Sequence, residues 1–194
     1  MNRREFLKRS LEGVVIGSVP FINRCEKNPV KYTQQTDYFP LKVGNRWTYS
    51  PQLEQSITDI KITEYGVYFV FSMYNYENRI FKKDSNSQII EYKNGQKRVW
   101  YKFSALEGES WIIQESNGSD LMNNCVVTLI SKNERVSIPA GTFENCVKFN
   151  FSCPVMDAGL ISEWFAPGIG CIKRITQSIA GPRTYELNDY KIQK

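Results

Sequence analysis

Residues 88–103 read QIIEYKNGQKRVWYKF. Two runs rich in apolar and aromatic side chains, residues 89–92 and 99–103, flank the dipeptide Asn94-Gly95. Both residues of that dipeptide accept the positive φ that a two-residue hairpin turn requires. The stretch therefore predicts a β-hairpin.

The same pattern continues on both sides of this hairpin. From Tyr38 onward, short runs rich in Val, Ile, Phe and Tyr alternate with turn-forming Gly, Pro, Asn and Asp, and no run has sustained helical spacing. The sequence predicts an all-β fold, an antiparallel meander of about ten strands curled into a half-barrel or barrel, because a flat meander would expose its edges. The predicted strands outside the hairpin cover residues 58–64, 67–75, 79–82, 110–115, 124–131, 135–138, 143–153, 160–165, 171–178 and 185–192, with a reversal at Asn133.

Composition excludes several classes of function. The chain has 194 residues and no histidine, which removes Ser-His-Asp and Cys-His catalysis and the usual zinc sites. Its net charge of +5 is concentrated in the first 25 residues, which hold five basic and two acidic side chains. The rest forms no basic stripe, so nucleic-acid binding is not expected.

The N-terminus predicts an export signal. Arg3, Arg4, Phe6 and Leu7 precede a modest apolar segment, and this order resembles the twin-arginine signal read by the twin-arginine translocase. Asn2 and Glu12 depart from that pattern. We therefore divide the chain into a signal segment (1–25), a polar tether (26–37) and a single β domain (38–194), exported to the periplasm or cell envelope.

Two interpretations of residue Cys25 stay open. It follows the apolar segment, where a bacterial lipoprotein carries its acylated cysteine, and the tether would then link lipid to domain. The residues directly before it, 22–24, lack the small side chains of a lipobox, and residues 15–17 offer a rival cleavage site. A soluble periplasmic protein is the alternative to a lipid-anchored one.

Three segments of the β domain carry a resemblance. Residues 38–49 (YFPLKVGNRWTY), 138–143 (IPAGTF) and 163–170 (EWFAPGIG) resemble a widespread group of bacterial exported proteins and lipoproteins for which no activity is established. The resemblance implies a fold similar to the curved half-barrels of lipoprotein carriers. It implies no catalytic residues.

The aromatic residues suggest where a ligand could bind. We expect Trp47, Trp111 and Trp164 in the core, whereas Trp100 is flanked by charged residues on the hairpin. With Tyr92 and Tyr101, Trp100 forms the predicted site for a lipid or other apolar ligand.

The four cysteines of the β domain allow no, one or two disulfides. They are Cys125, Cys146, Cys153 and Cys171. We predict Cys146–Cys171 as the pair, with buried free thiols as the alternative. The absence of a C-x-x-C motif and of histidine predicts no metal site, and we expect no cofactor.

The sequence favours a non-enzymatic binding domain for an apolar or amphiphilic ligand or a partner protein. One alternative is a secreted enzyme acting on carbohydrate through a carboxylate pair, such as Glu163 with Glu109 or Glu186. The other is a structural envelope component without a small-molecule site. Two acidic side chains converging in an aromatic cleft would favour the enzyme, and a filled interior would favour the structural component.

The export signal generates the first testable prediction. Replacing Arg3 and Arg4 together by Lys should trap the precursor in the cytoplasm, because the translocase recognises guanidinium groups and not charge alone. Cell fractionation followed by immunoblotting measures this, and unchanged export of the double variant would remove the twin-arginine assignment.

Overall fold

The computed structural model describes residues 37–73, 76–117, 120–155 and 157–194. The predicted signal segment, the tether up to residue 36, and the predictions for Arg3, Arg4, Phe6, Leu7 and Cys25 lie outside the described residues. Within these ranges no helix is long and apolar enough to cross a membrane. The strands are β1 (Arg46–Ser50), β2 (Leu53–Thr63), β3 (Gly66–Met73), β4 (Tyr76–Lys83), β5 (Gln88–Lys93), β6 (Gln96–Lys102), β7 (Ser110–Ile112), β8 (Val126–Ile138), β9 (Gly141–Ser152), β10 (Gly159–Ala166), β11 (Gly170–Gln177) and β12 (Arg183–Lys191).

All these strands belong to one antiparallel sheet that curls into a nearly closed barrel. Its order is β6-β5-β4-β3-β2-β1-β12-β11-β10-β9-β8-β7, so consecutive strands pair with each other except β6 and β7, and β1 pairs with β12. Trp47 lies opposite Tyr190 in that pairing of the first and last strands. The two free edges, β6 and β7, therefore lie in the middle of the chain. The predicted all-β meander is confirmed.

The hairpin predicted around Asn94-Gly95 is confirmed as β5 and β6. Lys93 pairs with Gln96, and the two turn residues have φ values of 50° and 81°. These positive values are the ones that Asn and Gly adopt most readily in a two-residue turn.

The structure differs from the predicted strands at two places. Residues 126–138 form one strand of 13 residues, β8, and not two strands reversing at Asn133. Register shifts between Ser131 and Glu134 absorb the turn-forming residues as irregularities within a continuous strand. Strand β1 and the first half of β2 precede residue 58, where the first predicted strand begins.

Alternate turns of an antiparallel sheet lie at the same end of the barrel. One end is covered by a chain segment and is called the closed end here, and the other is the open end. The turns after β2, β4, β8 and β10 lie at the closed end. Residues 37–44 cover this end: the Gly168 N–H donates to the Asp37 carbonyl at 2.7 Å, and the Phe39 ring lies within 6.1 Å of that of Phe165. The turns after β5, β7, β9 and β11 surround the open end.

Two of the segments that carried the sequence resemblance, residues 38–49 and 163–170, pack together near the closed end. Trp47 Nε1–H donates to the Ile169 carbonyl at 2.6 Å. Gly170 has a φ of +100°, and a Cβ there would lie 3.4 Å from both Pro40 Cδ and Trp47 Nε1. Glycine at this position lets β11 begin directly against the cover.

Side chains close the seam between the edge strands β6 and β7. Trp111 Nε1–H donates to the Trp100 carbonyl at 3.2 Å, and Gln114 Oε1 accepts from the Val99 N–H at 3.3 Å. These contacts occupy backbone groups of β6 that would otherwise be free to pair with another chain.

The predicted Cys146–Cys171 disulfide is wrong. The structure pairs Cys125 with Cys153, and Cys146 and Cys171 are free and buried. Phe165 of β10 lies between them, since it pairs with Val147 on one side and with Cys171 on the other. Two strand spacings, roughly 9–10 Å, exceed the distance that a disulfide can bridge.

This arrangement generates the second testable prediction. Mass spectrometry of unreduced protein alkylated after denaturation should find label on Cys146 and Cys171 and a linked peptide pair containing Cys125 and Cys153. The native protein at pH 8 should react slowly, because burial, with help from nearby carboxylates, raises the pKa of both free thiols to about 12. A linked Cys146–Cys171 pair, or rapid labelling of the native protein, would contradict the structure.

Candidate functional site

An open cleft occupies the barrel interior on the side of the open end. Its volume is about 570 Å³, which lies in the roughly 300–1,000 Å³ range of ligand pockets. Leu121, Ala158 and Ser178, from the turns after β7, β9 and β11, line its mouth.

The deep part of the cleft is aromatic. Rings from the covering segment and from six strands surround it, with the Tyr101 and Phe165 centroids 4.9 Å apart and the Phe71 and Phe81 centroids 5.3 Å apart. The aromatic lining residues are Phe39, Trp47, Tyr49, Phe71, Phe81, Trp100, Tyr101, Phe165 and Tyr185. Such a surface favours apolar ligand atoms over water.

Glu91 anchors the charged side of the cleft. Its carboxylate accepts from Arg79 Nε at 2.5 Å, from Arg98 Nε at 2.9 Å and Nη2 at 2.5 Å, and from Trp100 Nε1 at 2.8 Å. Burial alone would raise the pKa of Glu91, but the charges and hydrogen bonds of Arg79 and Arg98 outweigh it and hold that pKa below its ordinary value. Glu91 is therefore ionised although it is 1% exposed.

Arg98 continues this network across the seam. It is fully buried, and its guanidinium also donates to Asp120 Oδ2 at 2.8 Å, Asn123 Oδ1 at 2.9 Å and Ser116 Oγ at 3.3 Å. Burial would raise the pKa of Asp120, yet the Met122 N–H, Lys93 and Arg98 lower it to about 2. The loop after β7 is thus fastened to the β5–β6 hairpin by ionised groups.

A second buried network lies across the cleft. Glu163 is fully buried and accepts from Arg174 Nε and from the Tyr101 hydroxyl, both at 2.5 Å. Burial, with the Glu163 charge adding to it, raises the pKa of Tyr101 well above its ordinary value, so that the phenol keeps its proton and remains a donor. The Tyr49 hydroxyl donates to the Cys171 carbonyl at 2.8 Å beside this network.

Two of the three predicted ligand-site residues lie in the cleft. Trp100 and Tyr101 are both buried and both line it. They face the same side although they are adjacent in sequence, because Ile89 pairs with Tyr101 and Ile90 with Val99, which leaves Trp100 as the extra residue of a bulge.

Tyr92 does not join the other two predicted residues. Its neighbours Glu91 and Lys93 point inward, so Tyr92 lies on the outer face of β5. There its hydroxyl donates to Glu64 Oε1 at 3.2 Å, and its ring lies 5.6 Å from that of Tyr65. The grouping of Tyr92 with Trp100 and Tyr101 is therefore not what the structure shows.

The carboxylates named for the enzymatic alternative are not brought together. Glu163 faces the interior, where Arg174 and Tyr101 occupy it. Glu186 follows Tyr185, which lines the cleft, and pairs instead with Lys173 at 2.7 Å. Glu109 lies on the surface near Lys102, at 3.7 Å.

The charged network is the part of the site that sequence reasoning missed. Neither Glu91 nor Arg98 was predicted as a site residue, yet both are buried and charged. The available signal was the position of Glu91, two residues from the apolar Ile89 and hence on the same inward face. Within the described part of the chain, no cluster of three or more His, Cys, Asp or Glu could hold a metal ion.

Comparisons with known proteins give two similar solved structures. One is a Bacteroides fragilis chain described as a candidate exported protein with a YmcC-like fold, at 16% identity, covering 79% of this chain and 98% of its own, with a TM-score of 0.42. The other is a candidate lipoprotein from Parabacteroides distasonis, at 14% identity, covering 82% of this chain and 100% of its own, with a TM-score of 0.33. No protein-family model matches the chain, and no curated protein matches it significantly. Similarities this weak do not enter the functional argument.

Proposed function

We propose that this is an exported envelope protein, without enzymatic activity, whose barrel binds an apolar or amphiphilic ligand in the cleft. The observation that carries the proposal is the cleft itself, which combines a volume of about 570 Å³, an aromatic depth and a mouth open to solvent. A structural component with a filled barrel would lack such a space. Export and attachment at Cys25 rest on the sequence of the leader.

The chemistry of the lining supports binding in preference to catalysis. Among the described residues that line the cleft, Asp120 is the only carboxylate, and Lys93 and Arg98 hold it as an ion pair. Cys171 also lines the cleft, but burial raises its thiol pKa to about 12, which disfavours a thiolate nucleophile. These groups are suited to positioning a ligand and not to proton transfer near neutral pH.

A cavity-filling variant tests the proposed function. Thr176 lies on β11 and lines the cleft, so Thr176→Trp should place an indole in the space that the ligand needs. Binding of cis-parinaric acid, followed by its own fluorescence on direct excitation, should be saturable in the wild type and weakened at least about tenfold in the variant.

Thr184→Trp is the matched control. Thr184 is exposed on the adjacent strand β12, opposite Ile175, and does not line the cleft. Binding should be unchanged in this variant. Absence of saturable binding by the delipidated wild-type protein, or equal weakening by both substitutions, would overturn the assignment of the cleft as a ligand site.

A further inference from the structure

Arg79 is the residue of the cleft whose contacts point to a particular ligand chemistry. It lies on β4, two residues before Phe81, and lines the cleft with it. Its guanidinium carbon lies 3.7 Å from the centroid of the Trp100 ring and 5.4 Å from that of Phe81. Stacking on Trp100 holds the guanidinium plane in one orientation.

The hydrogen bonds of Arg79 are incomplete. Nε–H donates to Glu91, and in the described part of the chain this is the one hydrogen bond that the side chain makes. Nη2 is buried and has no acceptor there. A buried guanidinium N–H group without an acceptor is costly, and a planar anion such as a carboxylate or phosphate can accept from two guanidinium N–H groups at once.

The Glu91 carboxylate accepts hydrogen bonds from other donors besides Arg79. The Glu91 carboxylate is also held by Arg98, at 2.5 Å, and by Trp100 Nε1, at 2.8 Å. Both partners of Arg79, the carboxylate beside it and the ring beneath it, are therefore fixed independently. The cleft thus presents the guanidinium of Arg79, whose side chain is 22% exposed, in a fixed orientation.

The charged and the apolar lining residues occupy different parts of the cleft. The charged lining residues lie towards the open end or on the middle of the strands, whereas the covering segment that holds Phe39 closes the other end. In the described lining, the four cationic side chains outnumber the single carboxylate, Asp120. These cationic residues are Arg79, Lys93, Arg174 and Arg183.

We propose that the cleft binds a single-chain anionic amphiphile, with its alkyl chain among the deep aromatic rings and its carboxylate or phosphate head on the Nη groups of Arg79. The inference rests on the proposed function and adds the ligand class and the residue that selects it. An uncharged chain of equal length fills the same apolar space but leaves Arg79 Nη2 without an acceptor. Preference for the anionic head is therefore the property to measure.

The test compares heads on a constant chain. Dodecanoate, dodecyl phosphate and dodecanol are titrated against parinaric acid by displacement, with acetate and inorganic phosphate as heads without a chain. The wild type should bind the two anionic chains about tenfold more tightly than dodecanol, since two charge-assisted hydrogen bonds are gained. The free anions should not displace the probe, because they lack the alkyl chain.

Arg79→Gln should remove this preference, so that dodecanoate and dodecyl phosphate bind the variant no more tightly than dodecanol does, because the Gln side chain carries no charge. Arg79→Lys keeps the charge without the fork and should show an intermediate preference. Arg135→Gln is the matched control, since Arg135 is exposed and pairs with Glu144. Urea unfolding curves check that each variant is folded.

The outcomes separate the two proposals. Equal binding of dodecanoate and dodecanol by the wild type, or a preference that survives Arg79→Gln, would overturn the role of Arg79 and leave the cleft as a ligand site. Failure of every chain to bind would overturn the proposed function as well. Displacement by inorganic phosphate alone would show an anion site that does not depend on a chain, and would contradict an amphiphile as the ligand.

Discussion

The buried ion pair between Glu91 and Arg98 links the closure of the barrel to the shape of the cleft. Its atoms Arg98 Nη2 and Glu91 Oε2 are 2.5 Å apart, and both side chains are at most 1% exposed. Removing one partner of such a pair costs about 3–5 kcal/mol, because the other charge is left buried without compensation. On one side Arg98 holds the loop after β7, and on the other Glu91 holds Arg79 against Trp100.

The cleft exists because one end of the barrel is covered and the other is open. Residues 37–44 and the Phe39 ring fill the closed end, and no helix among the described residues covers the open end. The aromatic side chains are numerous enough to pack one half of the interior, and ionised groups occupy part of the other half. An apolar filling of the open half would exclude these groups, since buried charges require partners. The observed arrangement leaves an apolar chamber at the closed end, with ionised side chains nearer the open end.

Local patterns were sufficient to predict much of the fold. Asn94-Gly95 fixed the β5–β6 hairpin, and the regular spacing of strands and turns indicated a curled meander. The position of the seam was not predictable in the same way, because it depends on the pairing of β1 with β12, about 140 residues apart in the chain. The disulfide was mispredicted for a different reason: the reversal expected at Asn133 divided β8, whereas the continuous strand brings Cys125 and Cys153 together across the β8–β9 hairpin.

The sequence predicted only part of the candidate site. Trp100 and Tyr101 were expected to bind the ligand, and they line the cleft, but a bulge and not strand alternation places both inside. Arg79 lies two residues before Phe81 and hence on the same face of β4, but the sequence does not show which residues it contacts there. It lies in a polar stretch of β4, and its burial follows from contacts with β5 and β6 that arise only in the closed barrel.

Amide hydrogen exchange across the seam tests most directly whether side chains close this barrel. The comparison is between the wild type and Arg98→Lys, which keeps the charge but loses the planar fork that reaches Glu91 and Asp120. The account predicts that the wild-type Val99 amide is protected through Gln114, and that Arg98→Lys accelerates exchange in β5, β6 and the loop after β7 while β10 to β12 keep their protection. Unprotected exchange of Val99 in the wild type, or unchanged exchange across the seam in the variant, would contradict it.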